Sequence, residues 1–258
     1  MVEHHHERGI VLSRSLEQAP AFQMLDRKLD TTIHGVPLIT FDYVEPSDTQ
    51  MTKETLLQHD WVIFTSHNGI YYFMELLKHH QISPDVLNQM KLVTVGDKTK
   101  QTLNSYGFDV EFVPSVFDAE TLAEQLIQQR QMHYPLLIKG TKSRAVLDQA
   151  LDDYDIKYRS LTVYKTVTNW NEKSRLNDIL AEGPVDAFVF TSPSSIDGFL
   201  DMMSERKRSW FSLPCFAIGQ TTADYATKQG FTKVYKPSTF TLEGLAYLVE
   251  QYLKGEII

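Results

Sequence analysis

Hydroxyl side chains, glycines and basic residues occur together at several points where a predicted strand is followed by a predicted helix. Such residues cap helices, because serine, threonine and asparagine oxygens accept hydrogen bonds from the first backbone N–H groups. The same helix N-termini bind carboxylate or phosphate through free N–H groups and the positive end of the helix dipole. Capping explains any single terminus, whereas six termini at matching ends of two sheets would form an anion-binding surface. The six segments are 13–15, 65–68, 96–99, 139–144, 191–195 and 219–222.

The elements that would position these segments alternate between short apolar runs and longer amphipathic stretches. Helical spacing is clear in Ile70, Phe73, Met74 and Leu77, which would share one face of a helix. Strands that alternate with helices of this length indicate βα units and mostly parallel sheets. Runs that are apolar throughout are typical of strands buried on both faces. The predicted strands lie at 10–12, 61–64, 92–95, 110–113, 136–138, 187–190, 216–218 and 233–235.

An internal repeat shows that the chain contains two copies of one unit. The copies are offset by 126 residues in the first matched pair of segments and by 123 residues in the next two. This period is far longer than that of a solenoid repeat, so we predict two similar domains. The matched pairs are 60–66 (DWVIFTS) with 186–192 (DAFVFTS), 95–99 (VGDKT) with 218–222 (IGQTT), and 114–117 (PSVF) with 237–240 (PSTF).

The repeat alone leaves two domain arrangements open. Tandem packing would place 9–134 in one domain. An exchanged arrangement would build one domain from about 46–160 and the other from both ends of the chain. Both arrangements place the extended runs 38–44 and 161–167 between the domains.

The composition limits the classes of function. With 25 Lys and Arg against 33 Asp and Glu, the net charge of −8 lacks the basic field of a nucleic-acid binder. No apolar run approaches the roughly 20 residues of a membrane helix, and the first residues lack the apolar core of a signal peptide. The lone Cys215 excludes an internal disulfide and favours a reducing, cytoplasmic setting. Its apolar surroundings predict a core position rather than a nucleophile.

Signatures of cofactor, metal and hydrolase sites are missing from the sequence. Neither a dinucleotide-binding glycine fingerprint nor a phosphate-binding P-loop occurs, which disfavours nucleotide cofactors and nucleotide-sugar transferases. G-x-S-x-G and H-E-x-x-H are also missing. The run 4–6 (HHH) has no further ligands at metal-binding spacing. We therefore expect no cofactor and no metal.

Tyr164 lies in the extended run 161–167 and has two interpretations. Tyrosine suits a half-buried strand, where its ring packs against neighbours. A phenol between two domains would also be able to donate a proton or a hydrogen bond. The residues alone favour the packing role.

Four motifs, taken in order, resemble the uroporphyrinogen-III synthase family over nearly the whole chain. The motifs are I/V-F-T-S and V/I-G-x-x-T in each half, L-I-K-G-x-x-x-R at 137–144, and V-Y-K-T at 163–166. The resemblance implies two α/β domains with parallel sheets of flavodoxin-like or HUP-like topology, joined by a two-stranded antiparallel ladder. It also implies the exchanged arrangement. The implied domains are 1–37 with 168–258, and 46–160, and the implied linker strands are 38–45 and 161–167.

The activity that the resemblance implies is cyclisation of the linear tetrapyrrole hydroxymethylbilane to uroporphyrinogen III in haem biosynthesis. Water leaves, ring D of the resulting azafulvene attacks through its substituted carbon, and a spiro intermediate fragments and recloses with ring D inverted. The implied protein is a cytoplasmic monomer that needs no cofactor and contacts neither nucleic acid nor membrane. The alternative is a non-catalytic, two-lobed protein that binds or senses a small anion or a tetrapyrrole.

Site residues follow from the same resemblance and from the helix termini. Tyr164 would be the catalytic acid. Lys139 stands where the family motif usually carries arginine, and lysine keeps the charge but lacks the planar two-pronged guanidinium. The expected substrate-binding residues are Arg14, Thr65, Ser66, Thr99, Lys139, Arg144, Thr191, Ser192, Ser194, Thr221 and Thr222.

Overall fold

A computed structural model of the protein describes residues 8–29, 31–46, 51–112, 125, 132–143 and 145–256. The chain divides into two compact units. Unit 1 contains Met1–Thr40 and Val167–Ile258, and unit 2 contains Phe41–Thr166. Each unit has its own β-sheet covered by helices.

Strands and helices alternate along the chain. The strands are β1 (Arg8–Leu12), β2 (Thr31–Gly35), β3 (Ile39–Tyr43), β4 (Trp61–Phe64), β5 (Lys91–Thr94), β6 (Leu136–Gly140), β7 (Arg159–Thr168), β8 (Ala187–Phe190), β9 (Pro214–Ala217) and β10 (Lys233–Tyr235). The helices are α1 (Pro20–Lys28), α2 (Lys53–Leu56), α3 (His67–His79), α4 (Asp97–Ser105), α5 (Val146–Asp153), α6 (Lys173–Glu182), α7 (Pro193–Met202), α8 (Gln220–Lys228) and α9 (Leu242–Leu253).

The sheet of unit 1 has the strand order β10-β9-β8-β1-β2, and each neighbouring pair is parallel. This is the 2-1-3-4-5 order of flavodoxin-like folds, which reverses its direction of winding between β1 and β8. We call this place the switch point of unit 1. The predicted parallel α/β architecture is confirmed.

Both faces of this sheet are buried, as the apolar strands predict. Phe188, Phe190 and Cys215 point to one face and pack beneath α6, α7 and α8, whereas Ile10 and Phe216 point to the other. Cys215 is a fully buried core residue, and its burial raises the pKa of the thiol. The predicted core position of this cysteine is confirmed.

The sheet of unit 2 has the order β3-β7-β6-β4-β5, with parallel pairing from β7 through β5. Its switch point lies between β4 and β6, at the place that corresponds to β8 and β1 in unit 1. Beyond β5, one parallel bridge joins Val93 to Phe112, where the sequence predicts a strand at 110–113. Residue 113 lies outside the described residues.

Two strands differ from the sequence prediction. β2 was missing from the predicted strands because its sequence (TTIHG) is mostly polar; Thr31, Ile33 and Gly35 are nevertheless buried. β7 is longer than expected and runs without a break over ten residues. The predicted helix with Ile70 and Phe73 on its inner face is α3, and both residues are buried. Within the described ranges, no helix is long and apolar enough to cross a membrane.

Candidate functional site

Most of the predicted site residues that the structure describes lie near the carboxyl ends of strands, at the two switch points or one strand away from them. In parallel α/β sheets, ligands bind just outside these strand ends, beside the N-termini of the next helices. The strands at the switch point of unit 2 are β4 and β6, and those of unit 1 are β8 and β1.

Tyr164 lies at the switch point of unit 2, one strand beyond β6. It pairs with Gly140, the last residue of β6, after a register shift between Lys139 and Gly140. The shift places one extra residue in β7, and such bulges often redirect side chains near active sites. The Tyr164 hydroxyl lies 3.1 Å from Oγ of Ser66.

The ring of Tyr164 is held firmly by its neighbours, and only 8% of the residue is exposed. It stacks on Tyr72 with 5.6 Å between ring centroids and meets the edge of Phe41 at the same distance. The Tyr72 hydroxyl donates a hydrogen bond to the Phe41 carbonyl at 2.6 Å. A Cβ on Gly140 would lie 2.4 Å from Cζ of Tyr164, so only glycine fits beneath the ring.

Ser66 connects the phenol to a helix N-terminus. As N-cap of α3, its side chain accepts the Gly69 N–H at 3.0 Å. A hydroxyl has one proton and two lone pairs, so Ser66 caps the helix and still exchanges a hydrogen bond with Tyr164. The neighbouring Thr65 donates to the Ile138 carbonyl at 3.4 Å, which ties β4 to β6.

Lys139 forms an ion pair within unit 2. Its ammonium donates to Oδ1 of Asp148 on α5, and the same oxygen accepts a hydrogen bond from Ser160 at 2.9 Å. The other carboxylate oxygen, Oδ2, is buried without a hydrogen-bond partner. Arg144, the other predicted base of this segment, lies outside the described residues.

At the switch point of unit 1, two hydroxyls meet. Ser13 follows β1 and is buried, and its Oγ accepts the Thr191 N–H at 3.0 Å. The hydroxyls of the two residues are 3.4 Å apart. Ser13 lies in one of the candidate segments of the sequence but is not among the predicted binding residues. Its position directly after a buried strand was the available signal.

Ser192 caps α7 in the way that Ser66 caps α3. Its Oγ accepts the Ser195 N–H at 3.1 Å, and the Ser195 hydroxyl accepts the Ser192 N–H in return. This reciprocal capping box fixes the first turn of α7, where Pro193 occupies the first helical position. Ser194 lies half-buried in the same turn.

Glycine caps the second helix N-terminus of each unit. α4 begins after Gly96 and α8 begins after Gly219, and neither cap has a side chain that accepts a hydrogen bond. Thr99 and Thr222 occupy matching positions in the first turns and are both buried, whereas Thr221 is exposed. Because these caps supply no acceptor, the first N–H groups of both helices suit an anion.

Arg14 supplies the basic group of the unit 1 surface. It follows Ser13 and is half-buried, and its Nε is buried without a hydrogen-bond partner. Burial lowers the pKa of its guanidinium. A carboxylate at this place would satisfy the donor and restore the charge balance.

No group of His, Cys, Asp or Glu side chains within the described residues has the arrangement to hold a metal ion. The run 4–6 (HHH) lies outside these residues. The two switch points carry hydroxyls and backbone N–H groups, with a phenol in unit 2 and a cation in each unit, and these groups are suited to anion binding and proton donation.

Comparison with known proteins gives one family. Residues 22–247 match the family model described as uroporphyrinogen-III synthase HemD. A uroporphyrinogen-III synthase of Chlorobaculum parvum is 28% identical over 96% of this chain and 100% of its own length. A putative uroporphyrinogen-III synthase of Methanocaldococcus jannaschii is 27% identical over 93% of this chain and 97% of its own.

Solved structures agree on the fold. The uroporphyrinogen-III synthetase of Helicobacter pylori superposes with a TM-score of 0.66 at 19% identity, over 95% of this chain and 99% of that one. A mutant uroporphyrinogen III synthase of Thermus thermophilus gives a TM-score of 0.61 at 20% identity, over 96% and 99% of the two chains. Because the family model covers most of the sequence, the chain belongs to the uroporphyrinogen-III synthase family.

Proposed function

We propose that this protein closes hydroxymethylbilane to uroporphyrinogen III with inversion of ring D, and that Tyr164 is the acid that assists the loss of water. Membership of the uroporphyrinogen-III synthase family supports the overall reaction. The observation that carries the mechanism is the contact between Tyr164 and Ser66 at a switch point. A phenol at this position supports the proposed proton donation, because ligands bind at the switch points of such sheets.

A phenol can supply the one proton that the reaction needs and take back the one proton that the reaction releases. The terminal hydroxymethyl group leaves as water once its oxygen receives a proton, and Tyr164 donates that proton. Ring closure later releases one proton from the tetrapyrrole, which returns to the phenolate. No electrons are transferred overall, so the chemistry requires no redox cofactor. Ser66, 3.1 Å away, orients the hydroxyl and stabilises the transient phenolate.

Positioning contributes to the same reaction. Ring D must meet the electrophilic carbon through its substituted position, and a correctly held conformer lowers such a barrier by several kcal/mol. The tight packing of Tyr164 between Tyr72, Phe41 and Gly140 provides a fixed reference point for that conformer.

The substrate carboxylates are bound by helix N-termini and a few cations, despite the net charge of −8. The glycine-capped helices α4 and α8 offer backbone N–H groups, and the serine-capped helices α3 and α7 add hydroxyls. Arg14 adds an unsatisfied donor. Local fields of this kind attract an anion even when the whole molecule is acidic.

Lys139 fits this scheme with one condition. An ammonium has three N–H donors, and Asp148 accepts from it. Lys139 therefore contacts a substrate carboxylate only with a remaining donor, and Asp148 neutralises part of its charge. We propose that Lys139 contributes less to binding than Arg14 does.

We also propose that 38–45 and 161–167 are linker strands in an antiparallel ladder. The Val44 N–H donates to the Val163 carbonyl and the Asn169 N–H to the Leu38 carbonyl, each at 3.0 Å. Residue numbers rise on one strand as they fall on the other, which supports antiparallel pairing. The domains would then be 1–37 with 168–258, and 46–160. We propose a cytoplasmic monomer without nucleic-acid or membrane partners.

The test supplies hydroxymethylbilane to the purified protein and then oxidises and separates the products by isomer. Isomer III is expected. Isomer I alone, the product of spontaneous closure, would overturn the proposal. Tight binding of a tetrapyrrole without turnover would instead support the alternative, a non-catalytic anion-binding protein.

A further inference from the structure

We infer that Phe240 and Lys236, on the loop between β10 and α9 of unit 1, contact the substrate directly: the exposed ring stacks on a pyrrole ring and the ammonium pairs with a carboxylate. The inference rests on the proposed function, because it adds two residues to the same ligand-binding surface. Neither residue belongs to the motifs from which the other site residues were predicted.

Phe240 is unusual among the exposed apolar residues. It is 56% exposed, and in the described part of the chain it is the only phenylalanine among the exposed large hydrophobic residues. The other exposed aromatic residues there are tyrosines and Trp170, whose rings carry a polar group for water. Single exposed apolar residues are common, so exposure alone decides nothing. The residues around the ring are the evidence for a ligand contact.

The backbone holds the loop of Phe240 in place. Pro237 is buried, and the Thr241 N–H donates to the Thr239 carbonyl at 2.8 Å. The Thr241 side chain accepts the Gly244 N–H, and a Cβ on Gly244 would lie 2.3 Å from the Thr239 oxygen. The exposed ring is therefore presented on a packed loop. A ligand that binds it would not have to order the loop first.

The ring lies beside a helix N-terminus that the proposed function assigns to substrate binding. A Cβ on Gly219, the cap of α8, would lie 3.4 Å from Cγ of Phe240, so the ring lies close beside the cap. Lys236 places its ammonium 5.6 Å from the centroid of the same ring. Lys236 is exposed and forms no ion pair with any residue that the structure describes. Its charge is available to a ligand.

The internal repeat adds an independent argument. The sequence Pro-Ser-x-Phe follows the last predicted strand of both halves, and Phe117 matches Phe240. Phe117 lies outside the described residues, and its match with Phe240 is one of sequence position. A core role explains a repeated phenylalanine when the ring is buried, but the Phe240 ring is not. Ligand contact explains why the apolar ring is kept.

The substrate has the matching chemistry. A linear tetrapyrrole offers flat pyrrole rings for offset stacking, which works at centroid distances of about 4.5–7 Å. Each pyrrole also carries carboxylates. A cation beside an aromatic ring therefore matches a pyrrole and its carboxylate together.

The test compares Phe240→Leu with Tyr247→Leu, a control that removes an equally exposed ring from the middle of α9. We expect Phe240→Leu to raise the KM for hydroxymethylbilane by about three- to tenfold, with kcat and Tm unchanged. Lys236→Gln should raise KM by about two- to fivefold and reduce its dependence on ionic strength. Tyr247→Leu should change neither KM nor its dependence on ionic strength.

An unchanged KM in Phe240→Leu would overturn the inference, and so would a lower Tm with unchanged KM, since that result assigns the ring to stability. Binding of uroporphyrinogen III, measured by calorimetry under reducing conditions, gives a second readout. Weaker binding by Phe240→Leu than by Tyr247→Leu supports the inference even if the unmodified protein makes no isomer III. A failure to make isomer III would overturn only the proposed function.

Discussion

In unit 1 the hydroxyls of Ser13 and Thr191 meet beside the switch point, whereas in unit 2 the phenol of Tyr164 meets the hydroxyl of Ser66. The frameworks around these two contacts are alike. Each switch point has a helix capped by serine, and the next strand of each sheet leads into a helix capped by glycine. Under the proposed function each unit would bind anions, and unit 2 would add Tyr164 as the acid.

The cause of the difference is the length of one strand. In unit 1, β2 ends at Gly35, opposite Leu12, which is the last residue of β1. In unit 2, β7 pairs with β6 as far as Tyr164, opposite Gly140, and the strand itself continues to Thr168, past the end of unit 2 at Thr166. The continuation delivers Tyr164 over the carboxyl end of the sheet. The repeat aligns Gly140 of unit 2 with Arg14 of unit 1. Gly140 must be glycine because the Tyr164 ring lies directly above it. Arg14 has no such phenol above it, and a large side chain fits there.

The largest combined effect on stability and turnover is expected from Gly140→Ala. The added methyl group would lie 2.4 Å from the Tyr164 ring, so the ring must move. We expect a loss of about 1–3 kcal/mol in the free energy of unfolding, because the site is overpacked. Turnover should fall by about 100-fold or more, since misplacement by about 1 Å can cost that much.

A double-mutant cycle separates this clash from other effects of Gly140→Ala. In a Tyr164→Ala background the ring is gone, and the same substitution should cost little stability in urea unfolding. An equal stability loss in both backgrounds would show that the methyl group clashes with something other than Tyr164.

Tyr164→Phe tests the chemical part of the comparison. The ring stays packed and only the hydroxyl is lost, so the free energy of unfolding should change by about 1 kcal/mol or less. Turnover should fall by about 10²- to 10⁴-fold if the phenol is the general acid. The control is Tyr225→Phe in unit 1, which removes a hydroxyl bonded to Asp197. If kcat of both variants matched that of the unmodified protein, positioning alone would carry the reaction.

Ser66→Ala and Ser192→Ala compare the two switch points directly. The side chain of each serine accepts a hydrogen bond from the backbone N–H of the residue three positions later and so caps its helix. Each substitution should therefore cost about 1 kcal/mol of stability. Their kinetic effects should differ. Ser66→Ala should lower kcat by about two- to tenfold, because Tyr164 loses its hydrogen-bond partner. Ser192→Ala should mainly raise KM. Equal changes in kcat would mean that Ser66 acts only as a cap.

The sequence predicted the parallel α/β architecture because uninterrupted apolar runs such as Trp61–Phe64 carry a strong signal. It missed β2, whose threonines and histidine resemble a loop until the burial of Ile33 is known. The role of Tyr164 came from a family resemblance, since strand propensity alone favours packing. The ion pair of Lys139 with Asp148 depends on how α5 packs on the sheet, which no local pattern encodes.

His59 gives the smallest expected effect and extends the comparison to the pH dependence of stability. It is 3% exposed, its Nδ1 lies 3.0 Å from the Tyr134 carbonyl, and burial lowers its pKa. The corresponding residue of unit 1 is Val185, which does not titrate. In the folded state His59 stays neutral to a lower pH than in the unfolded chain, which takes up a proton near the ordinary pKa of about 6.5.

The unfolded state therefore binds more protons just below pH 6.5, and stability must fall as the pH drops through that range toward the lowered pKa of the folded state. Above pH 6.5 the contribution of His59 is fully present. His59→Val should be less stable at pH 8, because the hydrogen bond to Tyr134 is lost, but should lose less stability than the unmodified protein between pH 8 and pH 5.5. Urea unfolding at the two pH values measures this difference. If His59→Val showed the pH dependence of the unmodified protein, the acid sensitivity of unit 2 would arise from groups other than His59.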